Sequence, residues 1–383
     1  MIVLEFKLKG KPQQYRIIDD MIRTAQFIRN KALRYWMDNQ GVKLSDLYKQ
    51  CAVLAALFEW AGKLNSMARQ ASAERAIFAI QRFFSNCKAN KPGKKGYPQF
   101  KKGTRSVEYK TSGWKISSNK RTLTFTDGFA AGTFKLVGSR DLHFYAPNEI
   151  KRVRVIRRAD GYYAQFCINV ERNAPVAPSG KAVGLDVGLN HFLTDSTGAT
   201  VPNPRHLRKS EKALKRAQRR VSKKKKGSAN RKKAINRLGR KHLLVSRQRK
   251  DFAIKTALCV VKSSDFVAYE DLQVRNMVKN RKLAKSISDS EALASLRASA
   301  AWSQFAQWLQ YLGKVYGKTV VAVAPQYTSQ DCSTCGNTVK KSLSVRTHVC
   351  SCGTVLDRDH NAALNILAKA LRQAPNRFKY PRA

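Results

Sequence analysis

Residues 332–367 constrain the fold of this chain more than any other stretch, because four cysteines run directly into an acidic segment that opens a helix. The order is Cys332-x-x-Cys335, Cys350-x-Cys352, then Asp357-Arg358-Asp359-His360-Asn361-Ala362-Ala363-Leu364-Asn365-Ile366-Leu367. Four thiolates at this spacing suggest a tetrahedral Zn²⁺ knuckle. The carboxylate just beyond it stands in a chain with 74 Lys and Arg against 25 Asp and Glu, a net charge of +49. So basic a chain repels itself unless a polyanion neutralises it, and nucleic acid is the usual one. Together these features point to phosphodiester chemistry on a nucleic-acid-binding scaffold. The competing reading is a basic, ribosomal-type protein with four reduced cysteines.

A chain of 383 residues is too long for one ordinary core and predicts two to four modules. No run reaches the roughly 18 apolar residues that span a bilayer. The start, Met1-Ile2-Val3-Leu4-Glu5-Phe6-Lys7, alternates like a strand and has no signal-peptide core. Cys51, Cys87, Cys167 and Cys259 are scattered singly, unlike a secreted disulfide framework, so a reducing cytoplasm is expected.

Residues 1–10 read as a strand, and apolar residues then recur at helical spacing over 17–84. After a Gly/Pro/Lys break at 91–98, short alternating runs return between 101 and 171, with turns at Asp127-Gly128 and Asp160-Gly161. The economical picture is a small β-barrel that includes strand 1–10, with the helices as an insertion. A linker at 175–180 leads to a buried-type strand at 182–188, a hairpin partner at 191–198, a charged helical stretch at 205–262 and a strand at 265–270. A helix at about 300–316, a strand at 319–323, the cysteine segment and a last helix from about 361 follow.

Two strands end in carboxylates, Asp186 and Glu270, and Asp359 stands where the last helix starts. In open α/β sheets, ligand sites gather at the carboxyl ends of strands. Acids from three such points can hold two Mg²⁺ ions about 3.5–4 Å apart for phosphodiester hydrolysis. Each has a bland reading: Asp359 or Asn361 as an N-cap, Glu270 as a loop-facing charge. Asp357 competes with Asp359 as third acid, Asp195 reads as a turn residue and Asp289 as a helix cap.

Gly184-Leu185-Asp186-Val187-Gly188, Tyr269-Glu270-Asp271-Leu272, the segment 283–289 and the 357–366 run resemble the TnpB family. These are RNA-guided nucleases of bacterial insertion sequences, related to Cas12 effectors. The resemblance is strongest over 180–368 and extends more weakly to Ala32-Leu33 and Gly96-Tyr97-Pro98-Gln99-Phe100. It implies a multidomain α/β fold: a wedge-like N-terminal β-barrel with a helical insertion, then a RuvC-like, RNase H-type nuclease domain interrupted by a zinc knuckle. The implied layout is a first barrel strand in 1–14, a helical recognition insertion in 15–100 and the barrel in 101–178. The nuclease domain follows in 179–330 with a basic arm at 205–262, then the zinc insertion in 331–356, the final RuvC segment in 357–372 and a basic tail in 373–383. The family's catalytic acids match Asp186, Glu270 and Asp359, and its register favours Asp359 over Asp357. Arg346 matches an arginine that touches the scissile phosphate. The resemblance further implies a guide RNA and double-stranded target DNA as partners, catalytic Mg²⁺, structural Zn²⁺ and no required protein oligomer. A nuclease-inactive RNA-guided repressor and a strand-transfer transposase fit the same residues.

Relatives carry a second C-x-x-C where this chain has C-x-C, which tightens the second hairpin. His348 and His360 are candidate substitute ligands. Between positions 205 and 250, 21 Lys or Arg face one acid, Glu211. The run Lys223, Lys224, Lys225 and Lys226 reads as the turn between two helices, followed by Arg231, Lys232 and Lys233. Phosphate backbone is the expected neutraliser. Tyr97, Phe100, Tyr109 and Trp114 could stack on bases or pack in a core.

Overall fold

The computed structural model describes residues 1–273, 277, 301–342 and 345–374. The segment 283–289 with Asp289, and the basic tail from 375 onward, lie outside the described residues. The chain divides into two compact units, Met1–Arg172 and Asn173–Ala383.

In the first unit β1 (Ile2–Lys9) is followed by α1 (Pro12–Asp38), α2 (Leu44–Leu57), α3 (Glu59–Gly62) and α4 (Ser66–Lys88). Six strands come next: β2 (Ser106–Tyr109), β3 (Trp114–Ile116), β4 (Thr122–Phe125), β5 (Gly132–Val137), β6 (Ile150–Arg158) and β7 (Gly161–Ile168). They form one sheet in the order β2-β6-β7-β1-β5-β4-β3, with β1 antiparallel to both β7 and β5. The helices therefore interrupt the sheet after its first strand. Period-2 alternation buries Phe6 and Leu8 of β1, which join Val153, Val155, Ala164 and Phe166 in a core closed by Ile18, Met21 and Ile22 of α1.

The expected closed barrel is corrected. The edge strands β2 and β3 do not pair with each other, so the sheet is open. Only residues 110–113 separate them, and Gly113 (φ +87°) turns the chain there. A side chain spans the corner: the Trp114 indole N–H donates to the Lys110 carbonyl at 2.8 Å. Alternation in sequence specifies which face is buried, but not whether the edges meet.

Two buried glutamates join α4 to the sheet. Arg152 bridges Glu74 of α4 (3.0 Å) and Glu108 of β2 (2.7 Å), Lys110 adds 2.5 Å to Glu74, and Arg154 adds 2.6 Å to Glu108. Burial alone would raise both carboxyl pKa values, but the surrounding cations override it and hold both below the ordinary 4.5. A carboxyl depressed by folding stabilises the fold above its unfolded pKa, and that contribution is lost as pH falls through the folded value. Thermal melts should therefore show stability dropping below about pH 4.5, with a shallower drop in Glu108→Gln. Parallel curves for the two proteins would contradict this role.

The second unit holds β8 (Ala182–Asp186), β9 (His191–Asp195), β10 (Thr200–Pro202), α5 (His206–Ser222) and α6 (Ala229–Ser263). After them come β11 (Phe266–Glu270), α7 (Ala301–Tyr316), β12 (Thr319–Val323), β13 (Thr347–Val349), β14 (Val355–Asp357) and α8 (Arg358–Gln373). The main sheet runs β10-β9-β8-β11-β12. Its first three strands are antiparallel, and β8, β11 and β12 are parallel.

Both faces of β11 are buried, as parallel strands require. Val267 and Tyr269 face α6 and α7, whereas Phe266 and Ala268 face Ile366 and Ala370 of α8. Gly184 of β8 lets α8 approach closely: a Cβ there would lie 2.1 Å from the Ala363 carbonyl oxygen and 2.8 Å from Leu367 Cβ.

Candidate functional site

Asp186 and Glu270 are the last residues of adjacent parallel strands, one position beyond the Leu185–Tyr269 pair, so both acids leave the sheet at the same end. Asp359 enters from the first turn of α8, the helix packed on β8. Burial pushes the Asp186 carboxyl well above its ordinary range, and the charges of Glu270 and then Asp359 push it further. Glu270 is raised too, by burial, against a hydrogen bond from Thr328 and the charge of Lys369. Among the described residues no hydrogen-bond donor offsets this at the Asp186 carboxylate. At an effective dielectric constant of about 20, two carboxylates about 4 Å apart repel by about 4 kcal/mol. Three acids gathered in this way fit divalent cations as their neutraliser.

The structure separates Asp357 from Asp359. Asp357 is the N-cap of α8, its Oδ1 accepting from the N–H groups of Asp359 (2.8 Å) and His360 (3.2 Å). Its carboxylate is thereby occupied with the helix end, and Asp359 is left to face the other acids. Two guanidinium groups approach Asp359, Arg346 at 3.6 Å and Arg358 at 3.3 Å. Asp195 is used locally, accepting from Thr197 N and Ala199 N at 2.9 and 3.0 Å. A cleft of about 230 Å³ opens beside Glu270, walled by Val187, Asp271 and Leu272 and by Ser303 and Gln307 of α7.

The four cysteine sulfurs lie within 4.8 Å of one another. Cys332 and Cys352 are 3.7 Å apart, and Cys335 and Cys350 3.5 Å. Zn–S bonds of about 2.3 Å in a tetrahedron put sulfurs about 3.8 Å apart, so the set fits zinc. Backbone N–H groups of Cys335 and Thr334 lower the pKa of the Cys332 thiol, whereas the neighbouring cysteine sulfurs raise that of Cys335, so the four thiols share their protons as one group. The short C-x-C half is absorbed by the β13–β14 hairpin: Cys350 N–H donates to the Thr354 carbonyl at 3.0 Å, and Gly353 takes φ +88°. His360 faces the Ser196 carbonyl at 3.3 Å, away from the sulfurs, whereas His348, whose Nδ1 meets the Lys341 ammonium, lies against the Cys332 thiol beside the four-cysteine group.

Along the arm, Lys223, Lys224, Lys225, Lys226, Lys232 and Lys233 are exposed around the α5–α6 turn. Arg231 is different: its guanidinium donates to the carbonyls of Val221 (2.9 Å) and Lys224 (2.8 Å), closing the end of α5. The aromatic candidates divide. Tyr109 is fully buried and donates to Asp127 at 2.7 Å, and Trp114 packs against the same core. Tyr97 and Phe100 remain 54% and 42% exposed, with the Arg34 guanidinium 5.1 Å above the Phe100 ring.

Several site residues take roles that the sequence did not assign, and Asn361, a candidate N-cap, yields that place to Asp357. Asn361 and Asn365, four apart on α8, both donate to the Asp331 carbonyl, at 2.8 and 2.7 Å. Their i,i+4 spacing on one helix face was the available hint. Thr328 and Arg358 had none.

Two family models match this chain. One, described as "Probable transposase", covers residues 165–281, and the other, "Cas12f1-like, TNB domain", covers 302–366. A "Putative RNA-guided DNA endonuclease" of Streptomyces pristinaespiralis is 36% identical over 90% of this chain and 83% of its own length. A "Putative RNA-guided DNA endonuclease InsQ" of Escherichia coli K12 is 27% identical over 95% of this chain and 91% of its own. Among solved structures, a Cas12f1–sgRNA–target DNA complex aligns with a TM-score of 0.56 at 16% identity, covering 93% of this chain and 83% of that one. The last likeness is one of fold.

Proposed function

The chain belongs to the TnpB family of RNA-guided DNA endonucleases, and on that premise we propose that it cuts guide-matched DNA at a centre formed by Asp186, Glu270 and Asp359. The meeting of these acids at one sheet end carries the assignment, since ligand sites in open α/β sheets gather at the carboxyl ends of parallel strands. The chemistry supplied there by bound Mg²⁺ is acidification of a water and neutralisation of the leaving 3′-oxygen. The protein's own part is placement. Asp186 and Glu270 are fixed by paired strands and Asp359 by a capped helix, and Arg346, 3.6 Å from Asp359, would offer its guanidinium fork to a phosphate oxygen.

In this reading Cys332, Cys335, Cys350 and Cys352 hold a structural Zn²⁺. Structural zinc is worth about 10–16 kcal/mol in small peptides, enough to fold a segment poor in apolar residues. One zinc per chain is expected by elemental analysis, with Cys335→Ser losing it along with thermal stability and cleavage. A zinc-free protein of unchanged stability and activity would contradict the assignment.

The exposed lysines of the arm neutralise guide RNA or the guide–target duplex, and the first unit reads a short motif flanking the target. Electrostatic contacts of this kind give affinity without sequence, which is left to base pairing. Sequencing the RNA that co-purifies with the protein tests the proposal. A single discrete species is expected, and recovery of none would overturn it. Joined strand-transfer products in place of simple breaks would favour the transposase reading suggested by the first family description.

A further inference from the structure

Glu270 presents a long, flexible side chain to the acid centre, and something must fix its carboxylate. β11 ends at Glu270, whose backbone partner on β12 is Val323. The chain leaving β12 turns back at once, and Thr328 is buried with its hydroxyl donating to Glu270 Oε1. The Pro325 carbonyl lies 3.2 Å from the same hydroxyl. One proton cannot serve both acceptors fully, and the ionised carboxylate forms the stronger bond.

The loop carrying Thr328 is clamped to α8 along one stripe. Asn365 Nδ2 donates to the Thr328 carbonyl at 2.8 Å and to the Asp331 carbonyl at 2.7 Å. One turn earlier, Asn361 donates to the Asp331 carbonyl at 2.8 Å and accepts from Ser333 N–H at 2.9 Å. One turn later, Lys369 reaches the Gln326 carbonyl. Tyr327, at the loop's bend, sits at φ +62°, a left-handed conformation that a tyrosine keeps only where surrounding contacts enforce it. α8 also carries Asp359, so one helix places one acid directly and a second through this loop.

We infer that Thr328 is a positioning residue for Glu270, holding Oε1 so that the carboxylate meets a divalent cation in one orientation, and that Asn365 of α8 holds Thr328 in turn. This rests on the reading of Glu270 as a cation-holding acid. The Asn361 and Asn365 pair is thereby more than helix packing. It sets the register between the acid centre and Cys332, which directly follows Asp331 in the same loop.

The test uses the full chain with its co-purifying RNA and Mn²⁺ as the probe. Bound Mn²⁺ is read by electron paramagnetic resonance, with Glu270→Gln as the reference for ions held elsewhere, including on RNA. Outer partners of metal ligands typically contribute about 10–100-fold in affinity. Thr328→Val, which keeps the shape but removes the hydroxyl, should weaken the Glu270-dependent Mn²⁺ by about that factor and raise the half-saturating Mg²⁺ for cleavage, with target binding unchanged. Thr328→Ser should restore both, an outcome that a purely packing role would not give. Asn365→Leu should reproduce the Thr328→Val defect in weaker form. Wild-type metal affinity in Thr328→Val would overturn the inference while leaving Glu270 in place. Equal Mn²⁺ binding by wild type and Glu270→Gln would overturn the Glu270 reading and the inference with it.

Discussion

Asp186→Asn is expected to abolish DNA cleavage and, in the same protein, to raise thermal stability without added metal. The two effects have one cause. The Asp186 carboxylate is desolvated and repelled by Glu270 and Asp359, so an amide of the same size relieves the fold. In the proposed mechanism the same charge holds cations beside the scissile phosphate. Removing several kcal/mol of transition-state charge stabilisation lowers the rate by about 10³-fold or more. A relief of about 1 kcal/mol would raise the melting temperature by about 2–4 °C in a unit of this size. Guide-RNA and target binding should stay at wild-type levels, since neither needs the acid. A variant that still cuts would refute the site. One that is inactive but less stable would refute the electrostatic reading of it.

Gly184→Ala should be damaging although it adds only one methyl group. The new Cβ would stand 2.1 Å from the Ala363 carbonyl oxygen, and that obstacle is helix backbone with no side-chain freedom to yield. α8 must move outward, carrying Asp359 away from Asp186. Overpacking of this kind costs about 1–3 kcal/mol. A displacement of about 1 Å at a reacting centre lowers the rate by about 10²-fold. Cleavage should therefore fall more steeply than stability, measured by single-turnover rates beside thermal melts. Wild-type values for both would show that α8 is not seated on Gly184 as described.

The candidate acids stood out in the sequence because each lies where a pattern changes. Asp186 and Glu270 close apolar runs that only a buried strand tolerates, and Asp359 follows a cysteine cluster at a helix start. The choice between Asp357 and Asp359 rested on resemblance alone, since either can open a helix. It takes the observed cap hydrogen bonds to give Asp357 that role. Gly184 reads as an ordinary strand glycine until α8 is laid across it, and Thr328 is one hydroxyl in a loop with no periodicity. Alternation announced the strands of the first unit but not the open edge between β2 and β3, because closure depends on edge geometry. Arg231 was grouped with its basic neighbours by charge, whereas the fold uses it to satisfy the end carbonyls of α5.

The most direct test of RNA-guided cleavage is to recode the guide segment of the co-purifying RNA and map the cut on a plasmid carrying both old and new target sequences. The cut should move to the new target, in the presence of Mg²⁺, and disappear from the old one. A cut that stays in place, or that persists after the RNA is removed, would contradict it.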